Sequence, residues 1–120
     1  MTPAEVCAAL DGIVDPCSVV AGAPAGIAEM GLVREVAIGE CVEGTTVRVR
    51  IGLTEPGCMM GASFVVKARE RLAALPGVAR VDVELDHAAD WHPSDADPAY
   101  QERLRVVRAE RRAALERSFA

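Results

Sequence analysis

Between Thr46 and Leu75 the spacing of apolar residues changes period once, within a single short turn. In "TTVRVRIGL" Val47, Val49, Ile51 and Leu53 alternate with Arg48 and Arg50, the two-residue repeat of a half-buried strand. Beyond "TEPGCMMG", Phe64, Ala68, Leu72 and Leu75 recur at helical spacing and Val65 widens the stripe. A strand with one apolar face that passes straight into a helix with one apolar stripe buries both by laying the helix on the sheet. This junction therefore points to a small layered α/β (α+β) domain.

The flanking segments fit that layer. "TPAEVCAALDGI" offers Thr2 as N-cap, Pro3 at the first helical position and Glu5 three residues after Thr2, a capping-box start for a helix over 3–12 with Val6, Leu10 and Ile13 on its buried side. "DPCSVVAGAPAG", residues 15–26, reads as a loop with Cys17 and Ser18 near the surface, because Asp-Pro, a second Pro and two Gly punctuate it. "GLVREVAIGE" alternates as a strand, and "GECVEGT" joins it to the next as a hairpin would. "PG" at 76–77 stops the second helix, "VARVDVEL" gives a third strand, "DHAADWHPSDADP" is a polar loop, and the remainder carries Tyr100, Leu104, Val107 and Leu115 roughly on one side of a last helix. The expected fold is two-layer α-β-β-α-β with an extra C-terminal helix, its helices on one face of a three-stranded sheet, divided into residues 1–93 and a helical extension over 94–120.

At 120 residues such a domain buries enough surface to need neither metal nor disulfide for its core. No run approaches the ~20 apolar residues of a membrane span, and "MTPAEVCAAL" lacks the regions of a signal peptide, so the expected location is cytoplasmic with no membrane partner. In a reducing compartment Cys7, Cys17, Cys41 and Cys58 are thiols and not a disulfide framework. Residues 1–100 hold 7 basic and 15 acidic side chains, a body that repels a phosphate backbone and argues against nucleic acid as a partner. Residues 101–120 reverse the balance with 6 arginines against 3 glutamates, and the plainest reading of Arg103, Arg105, Arg108, Arg111, Arg112 and Arg117 is a solvated helix face.

The junction itself carries the chemistry. Cys58 stands where strand hands over to helix, between Gly57 and Gly61, and a helix start favours a thiolate, the form that binds soft metals or attacks electrophiles. Cys7 beside a buried stripe reads as a small core residue, and Cys41 at a hairpin tip has no evident second ligand. A cysteine hydrolase would need a base in reach, and His87 and His92 both fall in one late loop. There is no C-x-x-C, so neither a redox centre of the thioredoxin kind nor a zinc ribbon is indicated, while a scattered zinc site from Cys17, Cys58, His87 and His92 stays open at this stage. The glycines of "GCMMG" have three residues between them, where an RNA-binding KH loop has two.

Five segments together resemble a known family: "VDP" at 14–16, "MGLVREVAI" at 30–38, "VRVRIGLTEPGC" at 47–58, "LPGVARVDVEL" at 75–85 and "W-x-P" at 91–93. Over about residues 5–93 the chain is similar to the small iron–sulfur cluster maturation proteins, which include the bacterial SufT-type factors, the PaaD-type proteins and a subunit of the eukaryotic cytosolic iron–sulfur targeting complex. The resemblance implies a cytoplasmic helper in building or delivering clusters, not an enzyme, with a reactive cysteine matched by Cys58, the acidic residue of the family's Asp-Pro-Glu loop matched by Asp15, and the threonine that opens the cysteine loop matched by Thr54. Two positions depart from the family: its glutamate after Asp-Pro is Cys17 here, and the proline usual after the key cysteine is Met59.

Replacing a hard carboxylate by a soft thiol makes a two-thiol site conceivable, with Cys58 and Cys17 as metal ligands and Asp15 and Thr54 beside them. The implied cargo is an iron–sulfur cluster or iron, with zinc as a chemically permitted alternative. The implied partners are iron–sulfur assembly machinery or client apo-proteins, and a second copy of the chain in a homodimer. Two alternatives of other classes are a thiol-dependent enzyme or redox protein using Cys58, and an interaction module whose basic helix from Arg103 to Arg117 docks a partner.

Overall fold

The computed structural model describes residues 1–54, 61–86 and 91–119. Helix α1 (Pro3–Leu10) opens as its sequence demands: the Thr2 hydroxyl accepts the Glu5 N–H at 3.3 Å, and Pro3 occupies the first turn, where its missing N–H costs nothing. Helix α2 (Pro16–Val20), strands β1 (Val33–Cys41) and β2 (Gly44–Gly52), helix α3 (Gly61–Ala73), strand β3 (Val78–Asp86), a 3₁₀ turn (Pro93–Asp95) and helix α4 (Pro98–Phe119) follow in order. The sheet runs β1-β2-β3, with β1 antiparallel and β3 parallel to the central β2. A parallel neighbour requires a crossover, and α3 supplies it.

The period change at the junction is realised as expected. Val47, Val49, Ile51 and Leu53 face a core closed by Val6 and Leu10 of α1 and by Phe64, Ala68 and Leu72 of α3. On the opposite face Arg48 pairs with Asp82 and Glu84, and Arg50 with Glu35 and Asp86, so a ladder of exposed ion pairs covers the side that has no helix. The helices are thus held to one face of a three-stranded sheet, the two-layer arrangement expected from the sequence. Arg71 of α3 donates from Nε to the Ala9 carbonyl at 2.6 Å, adding a side-chain donor at the end of α1.

The segment 15–26, read from sequence as a loop, contains α2. Asp-Pro signals a turn, but Asp at N-cap and Pro at the first helical position are equally helix-start chemistry, and five residues are too few to show a period. The segment is closed at its base by a bridge between Val14 and Gly26, with Asp15 N–H donating to the Ala25 carbonyl at 2.9 Å and Ile27 N–H to the Ile13 carbonyl at 3.0 Å. Ser18, expected near the surface, is fully buried inside it. Its hydroxyl donates to the Asp15 carbonyl at 2.5 Å and accepts the Ala25 N–H at 2.9 Å, so a side chain stands in for backbone pairing that the tight loop lacks. Ser18→Ala leaves that N–H buried without a partner and should cost about 2 kcal/mol of stability, read by urea unfolding.

The segment after β3 is strapped back over the entry to β1. Trp91 donates its indole N–H to the Met30 carbonyl at 2.6 Å, Asp97 N–H donates to the Glu29 carbonyl at 2.8 Å, and Asp95 faces Arg34 at 3.4 Å. The backbone N–H of His92 donating to its carboxylate, together with Arg34, holds Asp95 below the usual carboxylate range. Tyr100, Leu104 and Val107 then seat the first half of α4 on the body, while Leu115 and Phe119 near its end are exposed.

Candidate functional site: a thiol cleft between three segments

Asp15 caps the start of α2 by position, and its side chain is buried to 2 % exposure without making the capping hydrogen bond. One of its carboxylate oxygens, Oδ2, has no hydrogen-bond partner. Burial pushes its carboxyl above the ordinary value, with the N–H groups of Ser18 and Cys17 pulling the other way. A buried carboxylate with an unmatched oxygen is costly to maintain.

Two residues on, Cys17 is exposed, and its sulfur accepts a hydrogen bond from the Thr54 hydroxyl at 3.4 Å. Thr54 follows the end of the central strand β2, at the point where the sequence turns toward Cys58. Of the four residues singled out in the sequence, Cys17 and Thr54 are brought together from positions 37 residues apart, and Asp15 stands two residues before Cys17 at the start of α2. The fourth, Cys58, lies outside the described residues with the rest of its turn, including Met59, and so does His87. The helix-start argument for Cys58 rests on sequence: Gly61, the first residue of α3, is described and buried against Leu53 and Leu85, and the residues before it are not.

The other cysteines keep apart from this site. Cys7 is partly buried on α1, where burial and then the Asp11 carboxylate raise its pKa, and Cys41 is exposed at the end of β1. His92 is exposed ahead of the 3₁₀ turn. Among the described residues no group of three or more His, Cys, Asp or Glu is placed to hold a metal ion. Part of the scattered zinc set, Cys58 and His87, falls outside those residues.

Cys17 and Thr54 open into a cleft of about 650 Å³ whose apolar wall includes Met30, Trp91, Tyr100 and Leu104. Tyr100 is buried here, and its hydroxyl is pushed above its ordinary pKa first by burial and then by the Asp15 carboxylate. Helix α4, which carries Tyr100 and Leu104, also contributes Arg105, Arg108 and Arg112. Sequence reasoning placed these arginines on a solvated face, and they are exposed, but it did not connect them, Trp91 or Tyr100 to Cys17. The available signal was the spacing of three and four between 105, 108 and 112, which puts those residues on one side of a helix.

Solved structures share this architecture. A domain of unknown function from Bacillus anthracis superposes with a TM-score of 0.68 at 20% identity, covering 84% of this chain and 89% of its own. A conserved hypothetical protein from Thermotoga maritima does so with a TM-score of 0.65 at 25% identity, covering 86% and 93%. No curated protein sequence matches the chain. The sequence model described as "iron-sulfur cluster assembly protein" matches residues 3–84, which takes in α1, α2, α3 and nearly all of the sheet, and with them Cys17 and Cys58. The chain belongs to the iron–sulfur cluster assembly protein family.

Proposed function

We propose that the protein assembles or delivers iron–sulfur clusters as a carrier, scaffold or adaptor in the cytoplasm, without turning over a substrate as an enzyme. Cys58 and Cys17 are the thiolates that hold the cargo, and Asp15 and Thr54 orient them. The observation that carries this reading is the hydrogen bond from Thr54 to the Cys17 sulfur at 3.4 Å. Cys58 follows Thr54 by four residues, so extended chain of at most about 14 Å separates it from a residue already touching Cys17. Family membership supports the cargo, and the position of Cys17 where the family has glutamate supports a two-thiol version of the site.

Two thiolates fall short of the four that hold a common cluster, so the remaining ligands come from outside the chain. A homodimer supplies them most simply, and assembly machinery or a client apo-protein takes the cargo onward. In this reading residues 1–93 are the maturation domain and 94–120 an extension that rests on it. Iron(II) is the metal intended, and zinc competes for the same thiols. Anaerobic reconstitution with iron and sulfide, read by visible absorbance, metal content per chain and size-exclusion chromatography, should give a coloured species with iron and sulfide in equal amounts and the mass of a dimer. Recovery of the chain colourless and metal-free contradicts the carrier and scaffold readings.

A further inference from the structure

The cleft above Cys17 has a chemistry that cluster handling by Cys17 and Cys58 does not use. Arg108 and Arg112 line it on α4, and among the described residues neither is paired with a carboxylate; Arg105 beside them is engaged by Glu102 at 2.5 Å. The apolar lining comes from Met30 and Trp91 and from Tyr100 and Leu104 of α4 itself, and the thiol of Cys17, with the Thr54 hydroxyl on its sulfur, is exposed in the same cleft. Guanidinium groups without a carboxylate partner and an apolar lining suit a small anionic ligand, and an accessible sulfur beside them can exchange with one that bears sulfur. At about 650 Å³ the space suits a short peptide and not a folded domain.

We infer that this cleft binds a carboxylate-bearing low-molecular-weight thiol, such as a tripeptide thiol, and that its disulfide form exchanges selectively with Cys17. The carboxylates lie on Arg108 and Arg112 and the sulfur lies beside Cys17. In the exchange Cys17 loses its proton to solvent, its sulfur attacks one sulfur of the incoming disulfide, a new S–S bond forms as the old one breaks, and the second thiol leaves as thiolate. The incoming disulfide is the oxidant, and no other is consumed.

Cys41 provides an internal control, being also exposed but with Glu40 and Glu43 near it in sequence in place of arginines. The experiment treats the metal-free full chain with oxidised glutathione, which is anionic, or with cystamine, which is cationic, and follows each cysteine by peptide mapping. Cys17 should favour the anionic disulfide over the cationic one by about tenfold relative to Cys41, the scale of one charge-assisted contact, and that preference should shrink as salt rises. Arg108→Ala with Arg112→Ala should abolish the preference, the lysine pair should restore part of it, and Arg117→Ala, which removes one arginine of the same helix outside the cleft, should leave it intact. Trp91, the single tryptophan, lines the cleft and reports non-covalent binding of S-methylglutathione by its fluorescence. Equal preferences at Cys17 and Cys41, or a preference indifferent to Arg108 and Arg112, overturns the inference even if the fluorescence responds. Because no metal is present, these outcomes are independent of whether the protein holds a cluster.

Discussion

Gly31→Ala should destabilise the fold by about 3 kcal/mol, whereas Gly77→Ala should cost only about 1 to 2. Both glycines sit in the left-handed region, at φ +76° and +82°, so an alanine at either pays the same backbone strain. They differ in what surrounds them. A methyl group at Gly31 would overlap the carbonyl group of Asp95, a backbone group that cannot swing away, while one at Gly77 would meet nothing within 4 Å. The excess at Gly31 therefore measures the close crossing of the 91–97 segment over the entry to β1. That crossing positions Trp91 on Met30 and sets the start of α4, so Gly31→Ala should also disturb the cleft, visible as a change in Trp91 fluorescence that Gly77→Ala does not produce. Urea unfolding of the two variants side by side gives the comparison.

Most of the layer was legible because it is written in local pattern. The alternation at Val47, Val49 and Ile51, the helical stripe at Phe64, Ala68 and Leu72, and the Thr2–Glu5 cap each need only a few neighbouring residues to be recognised, and each stands where the sequence places it. What escaped depends on contacts made at a distance. Ser18 is buried because 13–15 pairs with 25–27, a closure that no local signal announces, and a five-residue helix has no period to read. The arginines of α4 carry their helical spacing openly, but which of them face a cleft is decided by where Tyr100 and Leu104 dock. Asp15, Cys17 and Thr54 were singled out together through likeness to a family, since composition and spacing offer no reason to join residues of two separate segments.

The second large effect concerns metal binding. Cys17→Ser and Cys58→Ser should each lower iron binding by more than the 10- to 100-fold typical of losing an outer partner, and the double change should add little to either, because two ligands of one site act as a unit. Thr54→Val removes the hydroxyl on the Cys17 sulfur and leaves both thiols, so its loss should fall at about tenfold, within the outer-partner range. Cys7→Ser and Cys41→Ser should leave binding unchanged, as neither lies at the cleft. Protons released on loading should fall in step in the serine variants, because each bound thiol must ionise. Equilibrium titration with iron(II) under anaerobic conditions, with pH-stat recording, resolves all of these.

That Cys17 and Cys58 form one metal site is tested most directly by timed iodoacetamide labelling of the four cysteines, with peptide mapping, before and after anaerobic iron loading. In the metal-free chain Cys58 should label fastest, as the thiol placed by sequence at a helix start. Loading should then protect Cys58 and Cys17 together while Cys41 continues to react at its former rate. Labelling of Cys17 that stays as fast as that of Cys41 after loading, with Cys58 alone protected, would contradict the two-thiol site.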